Sequence, residues 1–289
     1  MTSESPLTGE NPTPDRVAEP ASLLPPSCRT ERPSVLEAFT FLFQSDQWIL
    51  ILLLGGCCIL VAGMIPIVPL MFFNGYVFFL VEQNIRRPES KPFLLNFDHA
   101  SLYLERGLWP VLAQVVLGLL LMVPVSICMV VLLAGGAVLA GGLAETNGQT
   151  AAIIVVVVAG LGMLLGTGLS MLLYMFTTIL WFRSGMAGTF KDAFQLKWAW
   201  KFIRTCGPSI SLGFIGLFFT SMILNFVGFL LLFVGYYATA AWANIALFHY
   251  LSQWYEVFLD RGGEAIPLHP KLRLESLPNL SPIEPLSPP

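Results

Sequence analysis

Residues 108–182 carry one charged side chain, Glu145, in 75 positions. Apolar residues fill both sides of a single polar break, Glu145-Thr146-Asn147-Gly148-Gln149. About 20 apolar residues cross the ~30 Å hydrocarbon core of a bilayer. The stretch therefore predicts two membrane helices, near 111–133 and 151–182, joined by a short turn. Upstream, the apolar segment 48–81 is 34 residues long. At 1.5 Å per residue one helix would measure ~51 Å, well beyond one crossing. Pro66, Pro69, Asn74 and Gly75 interrupt it. Two short crossings fit, as does one crossing plus a re-entrant piece. These four residues mark a candidate intramembrane break or cavity. Downstream, residues 209–250 would span ~63 Å as helix, enough for two crossings with a turn at 225–228. Trp242, Tyr250, Trp254 and Tyr255 cluster toward its end as an aromatic belt would.

Between the apolar runs lie amphipathic pieces. Ser34-Val-Leu-Glu37 and Thr189-Phe-Lys-Asp192 are capping-box patterns, each opening a short helix. On a helical wheel Lys197, Lys201 and Arg204 share one arc of roughly 60°, beside an arc of Phe194, Trp198 and Phe202. A basic stripe beside aromatic residues suits a helix lying among lipid headgroups, so these three are candidate lipid contacts. Residues 98–106 predict another surface helix. One such helix then precedes each of three apolar pairs.

Composition sharpens the class. The chain is 55% hydrophobic and 11% charged, with mean hydropathy +0.73. Soluble domains carry about 25% charged residues. Residues 1–33 and 262–289 hold seven prolines each, so segments 1–33 and 261–289 predict disordered tails around a membrane domain at 34–260. Two PxxP matches in the C-terminal tail read as ordinary solvated sequence. The net charge of −3 and the absence of a basic tract argue against a nucleic-acid partner. The first apolar run starts only at Trp48, later than a cleaved leader would place it.

Charge predicts the threading. The fifteen Lys and Arg fall in the N-terminal tail, in 86–106, in 183–204 and in the C-terminal region. The positive-inside rule puts all four regions in the cytoplasm, which requires an even number of crossings between them. The expected fold is all-α. It is a polytopic integral membrane bundle of about six transmembrane helices in three hairpins, with short interfacial helices and disordered tails. The expected location is the plasma (inner) membrane, with both termini cytoplasmic.

Gly75-Tyr76, Arg86-Arg87-Pro88, Pro92, Phe97-Asp98, Glu105-Arg106-Gly107 and Pro124 form a block that resembles the prokaryotic polytopic membrane family known as domain of unknown function 4013. A second Gly-Tyr recurs at Gly235-Tyr236. Phe97-Asp98 stands where the family's pattern has Trp-Asp. The resemblance covers about 36–256. It implies a membrane topology, and no activity, ligand or catalytic residue.

Candidate chemistry is sparse. The predicted spans hold no Asp, Glu, Lys or Arg, which argues against an ion-driven pump. His99, His249 and His269 are far apart in sequence, and the adjacent Cys57 and Cys58 point to different helix faces, so no metal site or cofactor is implied. Gly168-Leu-Ser170 begins like a nucleophile elbow but has Leu172 in place of the second glycine. Ser170 with His249 is the one conceivable dyad. Gly162 and Gly166 form a small-residue motif for helix packing. Asn74, Gln114, Asn225 and Asn244 are the polar side chains within or beside spans, suited to interhelical hydrogen bonds or to a cavity wall. The favoured expectation is a non-enzymatic membrane protein that assembles with anionic lipids, with membrane protein partners or as a homo-oligomer. The alternatives are a small permease for a neutral or amphipathic substrate, sited at 66–75, and an intramembrane hydrolase.

Overall fold

A computed structural model describes residues 33–65, 67–86, 95–144, 148–231 and 234–267. The regular elements among them are all helical. They are α1 (Val35–Thr40, extended by a 3-10 turn at Phe41–Gln44), α2 (Trp48–Ala62), α3 (Ile67–Arg86), α4 (Ala100–Ala144), α5 (Gly148–Ala187), α6 (Leu196–Cys206), α7 (Pro208–Leu230) and α8 (Val234–Asp260). Three stretches among the described residues are long and apolar enough to cross a membrane: Phe97–Ile127, Ala159–Ala187 and Pro208–Leu230. Val35–Gln44 with Trp48–Ala62, bent by 106°, gives a fourth if the pair is one span.

Several boundaries differ from the sequence reading. Residues 98–106 are not a separate surface helix. Phe97–His99 is a 3-10 turn, and α4 runs on from Ala100 without interruption. The cause is Arg106, whose partner lies inside the protein on α3. The expected turn at 225–228 is helical, and α7 continues to Leu230. Asn225 instead accepts a hydrogen bond from the Thr239 hydroxyl on α8 at 3.1 Å. Residues 261–267, expected with the disordered tail, pack against α6 and α8: the Ile266 side chain is buried and its N–H donates to the Tyr255 hydroxyl at 2.8 Å. Segments 1–32 and 268–289 lie outside the described residues.

α8 is the helix on which the others converge. It touches α1, α2, α3, α5, α6 and α7. Its His249, Ser252, Gln253 and Glu256 are buried. Such polarity would be costly against lipid and is tolerated because other helices surround it. Tyr250, Trp254 and Tyr255 are buried too, at 1%, 5% and 3% exposure. They form core rather than a lipid-facing belt, because α6, α7 and the segment after α8 cover them. α1 is clamped to α8 by the Trp242 indole donating to the Phe39 carbonyl at 2.9 Å and by Phe41 stacked on His249 at 4.0 Å.

α3 and α4 approach each other at backbone distance. A Cβ on Gly75 would overlap the carbonyl of Tyr103, and a Cβ on Gly107 would overlap the carbonyl of Met71. The two backbones touch, and only glycine leaves room for that. Arg106, next to Gly107 on α4, meets Glu82 of α3 at 2.6 Å, with both side chains almost fully buried. Phe79 lies under the guanidinium at 6.0 Å.

Two outcomes follow from this contact. Gly75→Ala or Gly107→Ala should lower stability by about 1–3 kcal/mol in thermal unfolding of the purified protein, the ordinary cost of overpacking. Gly141→Ala, at a position with open space around it, should not. Arg106→Met should cost about 3–5 kcal/mol by leaving Glu82 without its cation. The double variant Glu82→Met/Arg106→Met should recover most of that loss.

Candidate functional site

The described Lys and Arg gather at one end of the bundle. Arg86 ends α3, and Arg106 near the start of α4 pairs with Glu82 one turn earlier on α3. Phe78 of α3 touches both Trp181 of α5 and Phe248 of α8. Phe182 meets Tyr255, which brings the end of α5 to the end of α8. Arg183 follows directly on α5, and α6 closes this end.

α6 is fixed on its inner face and free on its outer face. Trp198, Ala199, Phe202 and Cys206 are buried. Trp198 and Phe202 pack on Phe258 with ring centroids 5.5 and 5.1 Å away. The Trp198 indole donates to the Glu264 carbonyl at 3.1 Å. Arg261 closes the helix end by donating to the Thr205 carbonyl at 2.7 Å, where unpaired carbonyls favour a cation. The single helix expected from Thr189 to Cys206 is interrupted at Gln195. Ahead of α6 the Thr189–Asp192 pair opens only a 3-10 turn, Lys191–Phe194. The Asp192 N–H donates to the Thr189 hydroxyl oxygen at 3.4 Å, and that hydroxyl bonds the Asp192 carboxylate. Arg183 is 1% exposed. It is held by Asp192 at 3.3 Å and Gln195 at 2.6 Å, and lies over the Trp198 ring at 4.6 Å. Sequence reading counts Arg183 among the surface cations, whereas the fold uses it as an internal post.

Lys197, Lys201 and Arg204 stand exposed on the opposite face, as their spacing predicts. Leu196 and Trp200 beside them are 54% and 64% exposed. The outward surface of α6 is thus a row of three cations bordered by a large aromatic and a leucine.

A second feature lies deeper. A cavity of about 940 Å³ opens between α5 on one side and α7 and α8 on the other, with Gln114 of α4 at its edge. Ser170, Asn225 and Asn244 also line it, so three of the four polar residues singled out in the spans meet here, together with Ser170. Tyr174, Trp181 and Ser221 join them. None of the lining residues is charged. The sequence signal was present but weak: Gly166, Ser170 and Tyr174 recur every fourth residue on α5, a stripe of small and polar groups on an otherwise apolar helix.

The other predicted positions fall elsewhere. The chain leaves the helix after Ala62, at 63–65, and α3 begins at Ile67, while Pro66 lies outside the described residues. Pro69 sits in the first turn of α3, where a missing N–H costs nothing. Asn74 and Gly75 are inside α3 and packed against neighbouring helices, so they line no cavity. The α4 backbone fills the space a cavity would need. A Cβ on Gly162 would meet no side chain or backbone of another helix within 4 Å among the described residues, and Gly166 lies at the cavity wall. Ser170 and His249 are not brought together as a dyad: Ser170 lines the cavity, while His249 stacks on Phe41 with its Nδ1 3.3 Å from the Gln253 amide. Among the described residues no group of three or more His, Cys, Asp or Glu is gathered.

The family model described as "Protein of unknown function (DUF4013)" matches residues 58–232, more than half of the chain. The chain belongs to this family. The match is narrower than 36–256, leaving out α1, most of α2 and all of α8. No curated protein and no solved structure matches the chain. Within the DUF4013 region the residues that carried the resemblance have a structural explanation here: Gly75 and Arg106-Gly107 build the α3–α4 contact and its buried ion pair.

The thiol of Cys206 reports on the seating of α6. Burial pushes it up to about 12, against the opposing pull of Arg261. At pH 8 it is therefore the thiol and not the reactive thiolate. N-ethylmaleimide at pH 8 should leave the Cys206 peptide unmodified by mass spectrometry in the folded protein. Trp198→Ala, which unpacks α6, should make it react.

Proposed function

We infer that this is a multi-pass membrane protein that works without catalysis, by assembly on an anionic leaflet with lipids and with protein partners or further copies of itself. The carrying observation is the outward face of α6. It presents Lys197, Lys201 and Arg204 beside Trp200 and Leu196, on a helix whose other face is bolted to α8. A rigid amphipathic helix of this kind suits the headgroup zone, where the aromatic ring enters the interface and the cations meet phosphates. Each Lys or Arg near an anionic surface contributes about 1 kcal/mol, less as salt rises.

The threading that supports it is six crossings with both termini cytoplasmic in the plasma (inner) membrane. α2 and α3, α4 and α5, and α7 and α8 pack as sequential pairs. α3 and α8 are less apolar than a lone span because other helices enclose them. The gathering of cations at one end agrees with the positive-inside rule.

A small permease for a neutral or amphipathic substrate is the second reading. The observation that favours it is the uncharged cavity beside α5. The hydrolase reading loses support with the separation of Ser170 from His249.

Tryptophan quenching tests the leaflet role. The full-length protein in vesicles should be quenched more by brominated phosphatidylglycerol than by brominated phosphatidylcholine. Changing Lys197, Lys201 and Arg204 to Gln should remove that difference, as should high salt. Equal quenching of the unmodified protein by both lipids would refute it.

A further inference from the structure

The cavity between α5 and the α7–α8 pair has properties that select an occupant. Its mouth is apolar and exposed: Met163 and Met222 are 60% and 61% exposed, and Phe218 is 47% exposed. α5 and α7 lie against hydrocarbon in the reading above, so the mouth opens sideways into the lipid. Its inner wall is buried, built from Trp181, Phe214, Leu217 and Leu247. Two polar atoms of the lining are buried without a hydrogen-bond partner: the Trp181 indole N–H, a donor on a side chain 95% buried, and the Asn244 Oδ1, an acceptor. Other buried polar atoms, the Trp254 indole N–H and the Tyr103 hydroxyl among them, also lack a partner, but those of Trp181 and Asn244 line the cavity. A buried donor and a buried acceptor left unpaired each carry a desolvation cost, which a ligand carrying both functions removes.

We propose that this cavity binds an uncharged lipid whose head both donates and accepts hydrogen bonds, of the acylglycerol class. The head sits at the inner wall, its hydroxyl donating to Asn244 and one of its oxygens accepting from the Trp181 indole. The acyl chain leaves through the Met163–Phe218–Met222 mouth. The absence of any lining charge selects against fatty acids and phospholipids, because a buried charge without a counter-charge is costly. The volume of about 940 Å³ is near the upper end for small-molecule pockets and accommodates a head with part of a chain. The same wall offers the hydroxyls of Ser170 and Ser221, and the Gln114 amide at the rim, as further partners.

This proposal rests on α5 and α7 facing hydrocarbon, and its test separates the two claims. The full-length protein in nanodiscs is photolabelled with a diazirine-bearing monoacylglycerol, and in parallel with a diazirine fatty acid at pH 8. Labelled peptides are mapped by mass spectrometry. The expected result is headgroup-dependent labelling, several-fold stronger for the acylglycerol, on residues 163–181, 214–225 and 236–247. Asn244→Leu should reduce it two- to tenfold, the range one neutral hydrogen bond supplies. Ala240→Phe, which fills the cavity without removing a polar group, should reduce it as well. Each variant is compared at equal recovery and equal thermal unfolding. Acylglycerol labelling of these segments that neither substitution changes would overturn the cavity as a binding site. Equal labelling by both probes would overturn the ligand class. Failure of either probe to label α5 or α7 at all, from protein that resists alkaline extraction, would contradict the hydrocarbon-facing reading itself.

Discussion

Two buried arginines organise the cation-bearing end of this bundle. Arg106 and Arg183 are each 1% exposed, and a guanidinium cannot be left alone in a low-dielectric interior. Each therefore fixes a carboxylate. Arg106 ties α4 to Glu82 on α3. Arg183 ties α5 to Asp192, and through Gln195 and the Trp198 ring it seats α6. Remove these posts and the helices that should pass through lipid lose their alignment at the end where their loops meet. The remaining described cations, Arg86, Lys191, Lys197, Lys201, Arg204 and Arg261, lie at this same end.

The two surfaces with functional character depend on that alignment in different ways. The outer face of α6 is presented because its inner face is committed, by aromatic packing on Phe258 and by Arg261 closing its last turn. The cavity lies between α5 and the α7–α8 pair, which approach each other at Met175 and Ser211, 3.7 Å apart. One surface is charged, and the other is uncharged.

Much of this was legible in the sequence and some was not. Long apolar runs and a charge deficit identify a helical membrane protein, because hydrocarbon imposes length and apolarity directly on the chain. The Ser34 cap on α1 and the exposure of Lys197, Lys201 and Arg204 were local, and local patterns read well. What failed was anything set by a partner from a distant helix. Arg106 and Arg183 look like loop charges until Glu82 and Asp192 are placed beside them. Gly75 looks like a helix breaker until the α4 backbone is seen against it. Tyr250, Trp254 and Tyr255 look like an interfacial belt until α6 and residues 261–267 cover them. The cavity was visible only as single polar residues, since its wall is assembled from α4, α5, α7 and α8.

The proposed threading puts the cation-bearing end and residue 147 on opposite sides of the membrane. Substituted-cysteine labelling on a cysteine-free background measures this most directly, with a membrane-impermeant maleimide applied to intact cells. Asn147→Cys should label from outside, and Lys197→Cys only after the membrane is opened. Labelling of Lys197→Cys in intact cells, or identical behaviour at both positions, would contradict it.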